Sequence, residues 1–162
     1  MDTNLPQSKD YGAYLSVQAL DDLIEQTIVK ISDVEFVNVG QASQVGRYAI
    51  TLANINNMHD SYIRKNSIHN SFNRAIGMKM INYLKVYDNN MYHIRGHAIF
   101  FETGAETKNL IENNCITDIR MGCSILSSDH FPAGIFIQNP DNEILSNTIT
   151  ESDSYGIWYH LP

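Results

Sequence analysis

Ile63-Arg64-Lys65-Asn66-Ser67-Ile68, Val86-Tyr87-Asp88-Asn89-Asn90-Met91, Ile111-Glu112-Asn113-Asn114-Cys115-Ile116 and Ile144-Leu145-Ser146-Asn147-Thr148-Ile149 are four versions of one phrase. Each has an apolar residue, two spacers, an asparagine, one spacer and a second apolar residue. The asparagines fall 23, 25 and 33 residues apart (66 to 89, 89 to 114, 114 to 147). A period in the low twenties with short apolar strands marks a stacked solenoid. A second apolar stretch keeps step with the first, because Ile76, Ile99, Ile125 and Ile157 each follow a phrase at nearly constant distance.

The pattern predicts an all-β chain, a parallel β-helix of about five to six coils with short strands. Equivalent strands of neighbouring coils would lie about 4.8 Å apart, with alternate residues facing inward. Asparagine suits the bend between strands: it tolerates a left-handed backbone, and its amide can bond the backbone and an identical amide one rung away. Asn66, Asn89, Asn114 and Asn147 are therefore expected to form a structural asparagine ladder, with Val34 at the equivalent place one coil earlier.

Period-two alternation assigns the other strand column. Ile50 and Leu52 should face inward, followed by Ile76 and Met78, Ile99 and Phe101, Ile125 and Ser127, then Ile157 and Tyr159. The outward column would be Thr51, Gly77, Phe100, Leu126 and Trp158; one step further lie Ala53, Lys79, Glu102, Ser128 and His160. Residues 1–26 read as a lead-in, with a short strand at Tyr14 to Val17 and a helical turn or loop from Leu20 to Ile24. Residues 27–162 read as the solenoid, a fragment of a larger protein. An insertion near 127–142 explains the 33-residue gap, with Ser128 to Ala133 leaving the coil and Gly134 to Gln138 forming an added strand.

Composition narrows the function. With 18 acidic and 11 basic residues, net charge −7, the chain has no general field to attract nucleic acid, and no nucleic-acid partner is expected. No apolar run is long enough to span a bilayer. Cys115 and Cys123 fit no zinc or redox spacing, so they are either free thiols or a pair closed by a sharp return of the chain. Neither a metal site, nor a glycine-rich phosphate loop, nor any cofactor is expected.

The order of motifs resembles a known family. Val34-Glu35-Phe36, Arg47-Tyr48-Ala49-Ile50, Phe72-Asn73-Arg74, Gly96-His97-Ala98-Ile99-Phe100-Phe101-Glu102-Thr103-Gly104, Asn139-Pro140-Asp141-Asn142 and Gly156-Ile157-Trp158-Tyr159 are similar to the β-helix region of fibrocystin-like proteins. That region is shared with the cell-migration-inducing hyaluronan-binding protein and the transmembrane hyaluronidase. The resemblance implies a right-handed β-helix within an extracellular or cell-surface protein. Hyaluronan-processing members carry histidines in the strand after the Arg-Tyr pair, whereas this chain has Ile50-Thr51-Leu52-Ala53.

Stacking brings equivalent residues of neighbouring coils together, which pairs Arg74 with His97 and Lys79 with Glu102. Asp129 and His130 could reach this patch from the insertion. As a catalytic group, Glu102, His97 and Asp129 would perform acid–base chemistry on a glycosidic bond, which needs two carboxyl groups several ångströms apart. Arg74, Lys79, His130, Phe100 and Trp158 would then bind the ligand. The other reading is a salt-bridged outer wall with Phe100 and Trp158 packed against another part of the chain. The expected function is a non-catalytic structural or carbohydrate-binding segment, the alternative a polysaccharide-degrading glycosidase or lyase. Expected partners are flanking domains or neighbouring chains covering the ends of the coil stack, and polysaccharide.

Overall fold

The computed structural model describes residues 10–19, 27–122 and 126–161. Three parallel sheets form the walls of a β-helix, and in each the strands stack in chain order. The six-stranded wall contains Leu15–Gln18, Ile50–Asn57, Ile76–Asn82, Ile99–Phe101, Ala133–Ile137 and Tyr155–Tyr159. A five-stranded wall holds Lys30–Ser32, Tyr62–Arg64, Lys85–Tyr87, Leu110–Glu112 and Glu143–Leu145, and the other holds Glu35–Val37, Ser67–Ser71, Asn90–Arg95, Cys115–Arg120 and Thr148–Ser152. The first strand pairs Leu15 with Ile50 and Gln18 with Ala53, so stacking already begins within the stretch read as a lead-in. Residues 20–26 and Cys123 to Ile125 lie outside the described residues.

The inward columns supply the core. Ile50, Ile76, Ile99 and Ile135 lie in register on one wall, Ile63, Val86 and Ile111 on the second, and Ile68, Met91 and Ile116 on the third, all fully buried. Each such side chain contributes roughly 1.5–3 kcal/mol by leaving water.

The register corrects one assignment. Ile99 pairs with Ile135 and Phe100 with Phe136, so the segment read as an added strand is the rung itself. Leu126, Ser127 and Ser128 do not occupy it: Ser127–His130 forms a short 3-10 turn, and the chain rejoins the wall at Ala133. The excursion therefore precedes the rung, ending at Pro132, rather than spanning 127–142. Gln138, not Ser128, follows Glu102 in the outer column.

At one corner, Asn66, Asn89, Asn114 and Asn147 are stacked. Each amide Nδ2 donates to the next Oδ1, at 3.0, 3.0 and 2.9 Å. The same oxygens accept the backbone N–H of Asn66, Asn89 and Asn114, and Asn66 Oδ1 accepts from Val34 N. The left-handed residue is not the asparagine but the one before it: Asp33, Lys65, Asp88, Asn113 and Ser146 have φ between 51° and 60°. The turn and the amide are thus supplied by adjacent residues. A second corner repeats the arrangement with Tyr83 and Lys108 left-handed, followed by Leu84 and Asn109. There Asn109 Nδ2 donates to Asn142 Oδ1 at 2.9 Å, while Ser61 and Leu84 hold the earlier rungs.

Candidate functional site

The outer face of the six-stranded wall carries the predicted site residues, but in two separate environments. Arg74 and His97 do occupy equivalent positions in successive coils, and Asp129 does reach them from the insertion. All three are buried. Arg74 Nε donates to Asp129 Oδ1 at 2.9 Å, Nη2 donates to Oδ2, and Nη1 donates to the Tyr48 hydroxyl at 2.5 Å. The guanidinium lies 3.8 Å from the centroid of the Phe100 ring and 4.9 Å from that of Tyr48. Its charge is therefore met by a two-point carboxylate contact in its plane and by aromatic rings over it. Gly77 makes room for the Tyr48 ring, because a Cβ there would sit 2.2 Å from it.

His97 accepts the Ala133 N–H on Nδ1 at 3.1 Å, which places the proton of the neutral ring on Nε2. That nitrogen lies 3.5 Å from Asp129 Oδ1 and finds no hydrogen-bond partner among the described residues. Burial and the neighbouring Arg74 charge push His97 down to about 3, so the ring is neutral at physiological pH. Burial pushes the Asp129 carboxyl up while Arg74 pulls it down. The trio functions as an internal clasp: it anchors the insertion to two coils, and its groups face one another rather than solvent.

Lys79 and Glu102 remain at the surface, with Nζ 3.6 Å from the carboxylate. Beside Glu102 opens a cleft of about 450 Å³. Phe100, Phe136 and Trp158 make its floor, Glu102, Gln138 and His160 one side, and Leu126, Ser128 and Phe131 the side formed by the insertion. The floor rings pack on one another: Phe100 and Phe136 centroids are 5.3 Å apart, and Phe136 meets Trp158 edge-on at 5.0 Å. Phe100 and Phe136 are buried, Trp158 is half-buried and Phe131 is 56% exposed. His130 is exposed beside the clasp but does not line the cleft.

Thus the structure groups Glu102, Phe100 and Trp158 around the cleft and withdraws Arg74, His97 and Asp129 from it. Gln138, Phe136 and Phe131 were missed. The signal for the first two was the likeness of Gly134-Ile135-Phe136-Ile137 to Ala98-Ile99-Phe100-Phe101, which keeps the aromatic in place where Ser124-Ile125-Leu126-Ser127 does not. Glu106, fully buried, is a further structural carboxylate that accepts from Met80 N, Thr103 Oγ1 and Gly104 N. Among the described residues no three His, Cys, Asp or Glu side chains gather as metal ligands would. Cys115 is an exposed free thiol, while Cys123 lies outside the described residues.

Comparison with known proteins adds kinship to this geometry. The sequence profile of the CEMIP beta-helix family matches residues 22–162. Human Fibrocystin-L is 33% identical over 133 residues, covering 82% of this chain and 3% of its own. Canine Fibrocystin is 33% identical over 174 residues, covering 95% and 4%. The zebrafish (Danio rerio) protein named cell surface hyaluronidase is 28% identical over 165 residues, covering 82% and 12%. The chain thus spans a small part of each relative. No solved structure matches it significantly.

Proposed function

The chain belongs to the CEMIP β-helix family, and we propose that it serves as a non-catalytic segment of an extracellular or cell-surface protein, with a structural and carbohydrate-binding role. The carrying observation is the burial of Arg74, His97 and Asp129 in one clasp. Glycosidic cleavage by the usual route needs one carboxylic acid and one carboxylate on either side of the bond. Among the described residues lining the cleft, Glu102 is the one carboxylate. Asp129, its expected partner, is held at both oxygens by Arg74.

Trp158 and Phe131, the cleft rings that keep exposed surface, together with a few polar groups suit a sugar, which presents C–H faces to rings and hydroxyls to amides and carboxylates. The surface location rests on the name cell surface hyaluronidase carried by a relative. No helix among the described residues is long and apolar enough to cross a membrane. Flanking domains or neighbouring chains are the partners proposed for the two ends of the coil stack.

The test is to incubate the purified chain with hyaluronan, pectin and neutral polysaccharides, from acidic to mildly alkaline pH, with and without calcium. Retention in affinity electrophoresis without shortening of the polymer is expected. Shortening that disappears in Glu102→Gln would overturn the proposal and make the chain a polysaccharide hydrolase or lyase.

A further inference from the structure

We propose that the cleft takes a neutral polysaccharide, laid parallel to the axis of the β-helix with one sugar per coil; this deepens, and rests on, the carbohydrate-binding role above. The geometry comes from two columns running along the axis. Phe100, Phe136 and Trp158 succeed one another on the floor, in register. Glu102, Gln138 and His160 succeed one another beside them, each two residues beyond the paired Phe100, Phe136 and Trp158. Successive coils rise by about 4.8 Å, close to the length of one pyranose in an extended chain. A polymer lying along the axis therefore meets a new hydrogen-bonding side chain at every sugar: a carboxylate that only accepts, an amide that donates and accepts, and an imidazole. A polymer lying across the wall would meet one of them.

The opposite side fits the same occupant. Phe131, 56% exposed at the end of the insertion, lines the cleft across from the polar column. An aromatic ring held in water beside hydrogen-bonding groups is suited to stack on the apolar face of a sugar. The insertion that carries it is fixed by the Asp129–Arg74 contact, so this side is set in place before any ligand arrives.

Charge selects neutral over anionic sugars. Lys79 is already shared with Glu102 at 3.6 Å, and no lysine or arginine is among the described residues lining the cleft. A uronate or sulfated chain would bring its charge against Glu102 without gaining a cation, in a protein of net charge −7. Glu102 instead accepts from the hydroxyls of an uncharged sugar, the stronger kind of hydrogen bond.

The experiment titrates the whole chain, by calorimetry, with N-acetylglucosamine oligomers and glucose oligomers from disaccharide to hexasaccharide, and with hyaluronan oligomers of matching length. Phe131→Ala and Gln138→Ala are titrated alongside, with thermal unfolding to show that both remain folded. Neutral oligomers should bind, with affinity rising to the trisaccharide and then levelling off; each substitution should weaken binding about tenfold, a loss of about 1.4 kcal/mol. Hyaluronan oligomers should bind more weakly than the neutral ones. Neutral binding unaffected by both substitutions would overturn the cleft while leaving the carbohydrate-binding role standing. Tighter binding of hyaluronan would overturn the choice of a neutral chain. No binding of any oligomer would bring down the site and the carbohydrate-binding role together.

Discussion

Replacing Asn89 with leucine tests the corner on which the stacking depends. The Asn89 amide donates to Ile63 O at 2.9 Å, Tyr87 O at 3.1 Å and Asn114 Oδ1 at 3.0 Å, and its oxygen accepts both the backbone N–H and the Nδ2 of Asn66 at 3.0 Å. Leucine fills similar space but can do none of this. Some of the groups left behind keep partners: Asn114 Oδ1 still accepts Asn89 N, Tyr87 O still accepts Lys65 N, and Asn66 Nδ2 still reaches Ile31 O. The Asn66 N–H has no substitute acceptor. One orphaned buried donor costs about 1–3 kcal/mol and the four other lost bonds about 0.5–1.5 kcal/mol each, roughly 3–9 kcal/mol if the losses add in full. The control is Asn90→Leu, one residue on, where the side chain is exposed and points away from the core; it should change stability by no more than about 0.5 kcal/mol. Urea unfolding of the two variants, compared at constant slope, measures both. Equal losses at positions 89 and 90 would refute the account of the corner.

The clasp predicts a different mutational signature. Asp129→Leu alone should cost about 3–5 kcal/mol by leaving the Arg74 charge buried, and Arg74→Met added to it should recover most of that loss; additive losses would contradict the assignment. His97 gives a pH dependence of known sign. Its pKa in the folded chain, about 3, lies below the usual value of 6.5, so the unfolded chain binds the extra proton and stability falls as pH drops from about 6.5 toward 3. The slope from this group approaches about 1.4 kcal/mol per pH unit. His97→Phe should lose less stability than the parent chain across that window, whatever its stability at neutral pH; parallel curves would contradict this.

The coils were legible because a buried corner imposes a demand that recurs every turn. An amide is the side chain that can satisfy two backbones and its own neighbour, so Asn66, Asn89, Asn114 and Asn147 stand out. The second corner was hidden because Ser61 and Leu84 occupy its earlier rungs, leaving Asn109 and Asn142 as a pair 33 residues apart. The rung at Ile135 was mistaken for Ile125 because two neighbouring segments have the same apolar alternation. What separates them is long-range: Phe136 must lie on Phe100, and Gly134 must leave room for Ile149, whose Cγ2 would sit 2.6 Å from a Cβ. The same limit governs the site. A repeat establishes that Arg74 lies beside His97, but what covers them is set by an insertion outside the repeat. Its arrival turned three expected surface groups into a buried clasp and moved the open cleft toward Gln138 and His160.

The most direct test of the stacking is a disulfide between coils. Thr117 and Thr150 are paired in register on the outer face, with hydroxyl oxygens 2.9 Å apart, though 33 residues separate them in sequence. Neighbouring parallel strands, about 4.8 Å apart, bring cysteine Cα atoms into bridging range. In a chain with Cys115 and Cys123 replaced by serine, Thr117→Cys with Thr150→Cys should bridge completely on mild oxidation, read by mass spectrometry. Bridging of Thr117→Cys with Thr148→Cys instead, or of neither pair, would contradict the stacked register.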